Sequence, residues 1–463
     1  MKKQNVTFPI GNIAVIDKIA TQTDFFSSVF KNLEGRARDF IPLIKLLIWN
    51  KLDESYSIDR LPDFVPDQML DLLGFEGELS SRTANRTLER LGERSQLILN
   101  KYQDWIGKQK LVDKNQLTDF TSTYFEGKKS SIAKKGYSRD DKRDKLQITI
   151  GISTGINGIP TMLTVSEGNE QDKKHMKKIY KLAKQVCEPG TLFIFDCGGN
   201  SREIKEQIKK DGFNFLTLMA KHSKTYKKYI AIFRANEKTS IIINENTYSC
   251  VKIPEENEFR YIFFSEKLMK DQLEKKGRKF IRELAKGEKI GKKVKSGKDL
   301  DKIIFPDGWI VTKGVIQKSL EKVQNPFISG IEGYFILESS VDSDPKTILQ
   351  LYKDRGLAEN FIRDLKEGAE MRPIRHWSKN AVLGYILIVF LAKFLINLTL
   401  LLAKNPLIKN LKLHKKYLMN LTLSMIYPKN YLRLAVISNF SEEMKAFFGD
   451  YLKKFGETEL EIV

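Results

Sequence analysis

Four residues in one stretch of the chain have types and spacing suited to phosphodiester chemistry. Tyr352, Glu359 and Lys366 are each seven residues apart, and Arg355 lies three residues after Tyr352. On a helix this spacing forms one stripe, which presents a carboxylate flanked by a phenol, a guanidinium and an ammonium group. Such an acid can hold a metal ion while the cations hold phosphates. An amphipathic helix with a solvated charged face has the same pattern, so the stripe alone leaves both interpretations open.

A helix from about residue 345 to residue 367 must carry this stripe. Asp344 is a suitable N-cap, Pro345 fits the first turn, and Gly368 is expected to end the helix. The apolar residues on another side of the helix are expected to pack inward: Leu351, Ala358, Phe361, Ile362 and Leu365. We therefore expect the side chains of Arg355 and Lys366 to face away from the packed core.

The segment before this helix has the pattern of a mixed α/β sheet. The expected elements are strands at 116–125, 146–153 and 160–165, a helix at 171–186, a strand at 192–195, a helix at 201–210 and a strand at 213–219. Three strands in a meander followed by alternating helix and strand are typical of a sheet with helices packed on it.

Residues 222–332 depart from that alternation and are interpreted as a mostly β insertion. Strands are expected at 240–244, 260–264 and 309–312. A basic stretch at 267–302 has 14 Lys or Arg against 6 Asp or Glu, and it is either a track for a DNA backbone or a solvated Lys-rich helix. Trp309 is a candidate for stacking on an unpaired base, although a tryptophan in a strand is more often part of a core.

The first 110 residues or so are expected to be helical and to bind DNA. A short helix, a turn around residues 74–77 and the helix SSRTANRTLERLGE at 80–93 resemble a helix-turn-helix. Arg82 and Arg86 are its candidate DNA-binding residues. Small helical bundles have the same pattern, so a purely structural role for this helix also stays open.

Composition favours a polyanionic partner. The 463 residues include 79 Lys or Arg and 58 Asp or Glu, a formal charge of 79 − 58 = +21. Such an excess favours nucleic acid, although a Lys-rich surface alone would produce it as well. The three cysteines and four histidines show no spacing typical of a zinc site or a disulfide framework.

One apolar segment, 381–402, could be mistaken for a membrane span. Its uncharged run is short, and Lys393 and Asn397 fall in the middle of it, where an isolated span would be destabilised. We therefore expect a buried core helix and no membrane partner. The N-terminal residues have no sustained apolar run, so no signal peptide is predicted.

The spacing Y-x2-R-x3-E-x6-K resembles the signature of DDE transposases encoded by bacterial and archaeal insertion sequences. Other segments similar to that family are LTDFTSTYFEG (117–127), GYSRDDKRDKLQITIGIS (136–153), EGNEQD (167–172), TLFIFDCGGNS (191–201) and MRPIRHWSKNAVLGYILIVFLA (371–392). The likeness covers roughly residues 117–402 and best fits the branch with a β-rich insertion. One departure is Cys197-Gly198-Gly199 after the second acid, where Arg-Gly or Ala-Gly is usual; a small side chain there still permits the tight turn.

The resemblance implies a role for each matching residue. Asp119, Asp196 and Glu359 would be the three catalytic acids, holding two Mg²⁺ ions about 4 Å apart, with Mn²⁺ able to substitute. Mg²⁺ takes hard oxygen ligands, and three carboxylates converging without a cation would repel one another. Tyr352 and the cations Arg355 and Lys366 would grip the DNA strand near the cut.

The resemblance also implies a ribonuclease H-like α/β fold with a mostly β insertion and an N-terminal helical DNA-binding region. The expected boundaries are 1–112 for the DNA-binding region, 113–221 with 333–463 for the catalytic core with its C-terminal helices, and 222–332 for the insertion. Removal of residues 1–110 is expected to abolish recognition of specific DNA ends and to leave the core folded.

The implied activity is transposition. A dimer on double-stranded DNA would bind the terminal inverted repeats of its element in the cytoplasm, at the nucleoid. Water would cleave each end, and the freed 3′-hydroxyl would attack target DNA. The alternatives are a non-catalytic DNA-binding descendant and a nuclease that does not join. Three intact acids are evidence against the non-catalytic alternative.

Overall fold

The computed structural model describes residues 4–33, 40–127, 130–296, 309–312, 315–318, 325–403, 411–429 and 432–456. The chain divides into two compact units. Unit 1 comprises Met1–Phe213 and Asp354–Val463, and unit 2 comprises Asn214–Lys353. The N-terminal helices therefore belong to the same compact unit as the expected catalytic core.

Helices and strands alternate irregularly along the chain. The helices are α1 Gly11–Gln22, α2 Phe25–Phe30, α3 Phe40–Leu52, α4 Leu61–Phe64, α5 Asp67–Leu73, α6 Ser81–Glu93, α7 Ser95–Lys108, α8 Asp172–Ala183, α9 Arg202–Lys210, α10 Ser223–Ala235, α11 Glu266–Lys295, α12 Pro345–Asp354, α13 Gly356–Arg363, α14 Lys379–Ala403, α15 Leu411–Asn420 and α16 Glu442–Phe448. The strands are β1 Val6–Pro9, β2 Asn115–Phe125, β3 Leu146–Gly155, β4 Pro160–Glu167, β5 Leu192–Phe195, β6 Asn214–Leu218, β7 Thr239–Ile243, β8 Asn246–Glu255, β9 Glu258–Phe264, β10 Trp309–Thr312, β11 Val315–Lys318, β12 Tyr334–Ser339, β13 Thr422–Lys429 and β14 Leu432–Ser438.

The sheet that carries the expected acids has the strand order β4-β3-β2-β5 in unit 1. The meander β2-β3-β4 is antiparallel, and β5 pairs parallel to β2. All four residues of β5 are buried, as an apolar strand covered on both faces requires. The predicted mixed α/β arrangement is confirmed.

The core of unit 1 is built around α14. Phe394 of α14 lies with its ring centroid 5.1 Å from that of Phe25 and 5.0 Å from that of Tyr102. α6 crosses α14 at very close range. A Cβ atom on Gly92 would lie 1.7 Å from the carbonyl oxygen of Asn380, so only glycine fits there. The N-terminal helices therefore cover α14, and removing residues 1–110 would expose this apolar surface. Whether the core stays folded without them remains a prediction.

The polar residues inside α14 have partners within unit 1. Lys393 makes a 2.7 Å ion pair with Asp364, and Asn397 donates a 2.7 Å hydrogen bond to the carbonyl oxygen of Gly158. Among the described residues, Lys379–Leu402 is the one helix long and apolar enough to cross a membrane, with a mean hydropathy of 2.3. Of its most apolar window 78% is buried inside the protein, as predicted for a core helix.

The predicted helix-turn-helix corresponds to α5, a turn and α6. Gly74 ends α5 with φ of 78°, a left-handed conformation that glycine adopts without strain. Ser80 caps α6 by accepting a hydrogen bond from the backbone N–H of Thr83. Arg82 and Arg86 are exposed on α6. Binding of DNA by these two residues stays a prediction.

Unit 2 contains an antiparallel sheet with the strand order β6-β12-β9-β8-β7 and a separate β10-β11 hairpin. Strand β8 was not predicted. The basic stretch is helical over Glu266–Lys295, which makes the insertion less β-rich than expected, and its remainder at 297–302 lies outside the described residues. Trp309 begins β10 opposite Lys318.

Candidate active site

Asp119 and Asp196 are brought together by the parallel pairing of two strands. Thr118 of β2 pairs with Phe195, the last residue of β5, so the two aspartates are the next residues on adjacent strands. Neighbours in register point to the same face of a sheet. The two carboxylates therefore lie side by side at the end of β5.

The backbone after β5 holds Asp196 in place. Its Oδ1 accepts hydrogen bonds from the N–H groups of Gly198 at 2.9 Å and Gly199 at 3.2 Å. A Cβ atom on Gly198 would lie 2.8 Å from Oδ2 of Asp172, so a side chain there would crowd this turn. The Cys197-Gly198-Gly199 departure is thus compatible with a well-held acid, and Cys197 itself is exposed.

Glu359 is linked to Asp119 by the side chain of Arg355, which contacts both carboxylates. The guanidinium of Arg355 donates to Oδ1 of Asp119 at 3.3 Å and to Oε1 of Glu359 at 2.5 Å. Glu359 lies on α13 with 53% of its side chain exposed, whereas 16% of the Asp119 side chain is exposed. Arg355 therefore supplies the positive charge that links the third acid to the first.

Burial changes the protonation of Asp119. Desolvation raises the pKa of its carboxyl to about 6, and the charges of Asp196 and Glu359 add to that rise, while the guanidinium of Arg355 opposes it. The carboxylate form is consequently less favourable here than in water, even with the guanidinium of Arg355 beside it.

The donor types suit a hard divalent cation, but the side chains do not converge on one. Among the described residues, no three acidic, histidine or cysteine side chains are grouped closely enough to hold a metal ion as they stand. Asp119 and Asp196 are adjacent carboxylates on one strand-end face, which fits an oxygen-seeking ion. Glu359 would complete the set only after its bond to Arg355 opens.

The predicted helix beyond residue 345 is present as α12, α13 and a π-helical turn, Asp364–Gly368. A π turn has more residues per turn than an α-helix, so the residues after Arg363 rotate away from the ideal stripe. Lys366 is 8% exposed and makes a 2.8 Å ion pair with Asp140. The expectation that Lys366 faces away from the packed core is therefore wrong, while its contact with DNA stays a prediction.

Sequence reasoning assigned no role to Asp140, which is 4% exposed. One of its oxygens accepts from Lys366 and, at 2.7 Å, from Arg372, and the other is buried with no hydrogen-bond partner among the described residues. Arg139 beside it pairs with Asp172 at 2.7 Å. The only available signal was an acid in the basic run GYSRDDKRDK, and nothing local marks it as buried.

These groups line one open cleft of about 380 Å³ in unit 1. Its charged lining residues are Asp119, Asp140, Asp196, Glu359, Glu367, Arg139, Arg355, Arg363, Lys366 and Arg372. A cleft with both carboxylates and guanidinium groups can hold cations and phosphates together. Arg82 and Arg86 are not in this lining, and Tyr352 and Trp309 belong to unit 2.

Known proteins similar to this chain include a transposase family and a solved transposase structure. A family model described as the transposase DDE domain matches residues 114–395, a range that contains Asp119, Asp196 and Glu359. A solved structure, the cryo-EM structure of a piggyBac transposase synaptic complex with hairpin DNA, is similar over 90% of this chain and 82% of that chain, with 10% identity and a TM-score of 0.43. No curated protein matches the sequence significantly.

Proposed function

The chain belongs to the transposase DDE domain family, and on that premise we propose that it is a transposase that cuts the ends of its own element and joins them to target DNA. The observation that carries the proposal is the register of β2 and β5, which puts Asp119 beside Asp196, with Glu359 tied to Asp119 through Arg355. A bacterial or archaeal insertion sequence and a ribonuclease H-like core are part of this proposal.

Asp119, Asp196 and Glu359 are the proposed ligands of Mg²⁺, with Mn²⁺ as a substitute. When bound, such ions supply Lewis-acid stabilisation of the negative charge that develops on the attacking and leaving oxygens. Asp196 is oriented by the N–H groups of Gly198 and Gly199, so its carboxylate needs little rearrangement. Glu359 is half-exposed and can change its rotamer when Arg355 releases it.

Arg355 is the proposed phosphate ligand nearest the acids. Its guanidinium already spans two carboxylates, a geometry that also fits two phosphate oxygens. Release from Glu359 would free it to grip the strand beside the cut. Tyr352, Lys366 and Trp309 are further proposed contacts, with Arg82 and Arg86 on α6 reading the element ends.

The proposed partner is double-stranded DNA, bound as the two element ends and the target. The formal charge of +21 favours it. Holding two ends together implies a dimer on DNA. We place this activity in the cytoplasm, at the nucleoid.

The test is a cleavage and joining assay on the DNA that flanks the reading frame. The inverted repeats that we expect there serve as donor ends. They are labelled on the strand whose 3′-hydroxyl cleavage would free, and are incubated with a target plasmid and Mg²⁺ or Mn²⁺. We expect cleavage at the repeat boundary and a joined product. Cleavage without joining would reduce the function to that of a nuclease, and binding without cleavage in either metal would make the chain a DNA-binding descendant.

A further inference from the structure

Helix α11 of unit 2 carries a straight row of cations that the proposed active site does not use. The row consists of six exposed residues, Lys275, Lys279, Arg282, Lys286, Lys289 and Lys293. We propose that this α11 cation row binds the phosphate backbone of a DNA duplex. The inference rests on the proposed function for the identity of the partner, and it does not depend on strand cleavage.

Helical spacing places all six side chains on one line. Successive members are three or four residues apart, and at about 100° per residue they stay within roughly 40° of a common direction. The first and last members therefore lie about 27 Å apart at 1.5 Å per residue. That length matches about eight base pairs of duplex, in which each strand carries one charge per roughly 3.4 Å.

The first half of the helix is held by contacts within unit 2, which orient the start of the row in that unit. Gln272 accepts a 3.0 Å hydrogen bond from the N–H of Gly333, and Lys276 makes a 2.5 Å ion pair with the buried Glu332. Lys279 also lies 4.1 Å from the ring centroid of Phe327. A row held by such contacts loses less conformational freedom on binding than cations on a free segment.

Repulsion between the cations of the row destabilises the helix when no partner is bound, which indicates a polyanionic partner. Like charges at i and i+4, such as Lys275 with Lys279 or Arg282 with Lys286, destabilise a helix by roughly 0.2–0.5 kcal/mol per pair. Acids at two neighbouring positions, Asp271 four residues before Lys275 and Glu283 four residues after Lys279, offset only part of this repulsion. Phosphates would neutralise this repulsion along the full length of the row.

The experiment measures the affinity of the full-length protein for a random-sequence duplex of about 30 base pairs across a salt series without divalent metal. The row variant replaces Lys275, Arg282, Lys286 and Lys289 with Gln. The matched control replaces four exposed lysines of unit 1, Lys173, Lys174, Lys181 and Lys210, with Gln, which removes the same total charge. The slope of log affinity against log salt is expected to fall by about three to four in the row variant and by less than one in the control.

A smaller change keeps the result interpretable if the fourfold variant folds poorly. A double variant, Lys286→Gln with Lys289→Gln, should lower the salt slope by about two. A triple variant that keeps the charges, Lys275→Arg with Lys286→Arg and Lys289→Arg, should leave the slope unchanged. Equal slopes in the row variant and the control would overturn the inference, because net charge alone would then account for binding. The row variant is also tested for binding to phosphatidylserine vesicles. If it lost vesicle binding that the wild-type protein shows but kept its duplex binding, the row would belong to a membrane surface and the inference would be overturned.

The two proposals fail in different ways. If the wild-type protein cuts and joins element ends but the row variant keeps the wild-type salt slope, the proposed function stands and this inference fails. If duplex binding depends on the row but the protein never cleaves DNA, this inference stands and the proposed activity fails.

Discussion

Lys366 donates a 2.8 Å hydrogen bond to Asp140, and both side chains are almost completely buried. Arg372 donates to the same oxygen at 2.7 Å, so two cations neutralise one buried carboxylate. In the unbound protein Lys366 therefore stabilises the loop that carries Asp140 as well as lining the cleft.

Lys366→Ala is expected to destabilise the protein, because Asp140 would keep a buried charge with one partner instead of two. Breaking a buried pair costs on the order of 3 kcal/mol, and Arg372 reduces that cost here. Thermal melts of Lys366→Ala, Asp140→Ala and the double variant measure the coupling, with exposed Lys174→Ala as the control. An unchanged melting temperature together with a lower salt slope for DNA binding would mean that Lys366 acts on phosphate alone.

Asp119→Ala, Asp196→Ala and Glu359→Ala are each expected to abolish cleavage and to leave end binding nearly intact. Each removes a proposed metal ligand without removing a positive charge. Glu203→Ala, an exposed acid on α9, is the control and should cleave normally. If one of the three variants cut end DNA at the normal rate in Mg²⁺, its residue would lose the assigned role.

Arg355→Lys is expected to lower the cleavage rate despite keeping the charge. Lysine cannot span two acceptors as the guanidinium does, and losing one charge-assisted hydrogen bond, about 1.5–3 kcal/mol, corresponds to roughly a 10- to 100-fold slower reaction. Single-turnover kinetics measure this effect.

Removing the guanidinium altogether should separate metal binding from activity. In Arg355→Gln the carboxylates of Asp119 and Glu359 lose their internal cation, so Mn²⁺ should bind the free protein more tightly in isothermal titration while cleavage falls. Arg363→Gln, which removes an exposed cleft cation, is the control. Weaker Mn²⁺ binding in Arg355→Gln would contradict competition between Arg355 and the metal.

Gly384→Ala is expected to destabilise the contact between α6 and α14. Its Cβ would lie 2.0 Å from the carbonyl oxygen of Leu88, which forces the helices apart at a cost of about 1–3 kcal/mol or more. Gly107→Ala in α7 is the matched control, since nothing lies within 4 Å of its Cβ, and alanine should stabilise that helix by roughly 0.5–1 kcal/mol. Differential scanning fluorimetry distinguishes the two, and equal melting temperatures would show that α6 and α14 do not need this close approach.

Asp53→Asn is expected to stabilise the protein at high pH and to have little effect near pH 4. Burial raises the pKa of Asp53 from 3.8 to about 7, and Glu54 adds to the rise. The folded protein thus keeps a proton that the unfolded chain has lost, so the contribution of Asp53 to stability declines as pH rises from about 4 to about 7 and is fully lost above that. The melting temperature of the variant relative to wild type should therefore increase between pH 5 and pH 8. The exposed Asp63→Asn should show no such trend.

Local pattern was sufficient for the elements that carry the acids. The run 116–125 reads as a strand because β-branched and aromatic residues dominate it, and 192–195 reads as a buried strand because all four residues are apolar. The start of the helix after Asp344 could be predicted because aspartate is a favoured N-cap residue. In the structure Asp344 accepts hydrogen bonds from the N–H groups of Lys346 and Thr347.

The sequence by itself therefore determined most of the strands and helices around the acids, the core character of α14, and, by its resemblance to DDE transposases, the family. Only the tertiary structure decided which side chains meet. Asp119 and Asp196 become neighbours through the parallel pairing of β2 with β5. Lys366 lies within a π-helical turn that 3.6-residue periodicity cannot anticipate, and it pairs with Asp140. Secondary structure follows from interactions between residues close in the chain, whereas burial and ion pairing depend on residues far apart in it, so a charged residue looks the same in sequence whether it ends in solvent or in the core.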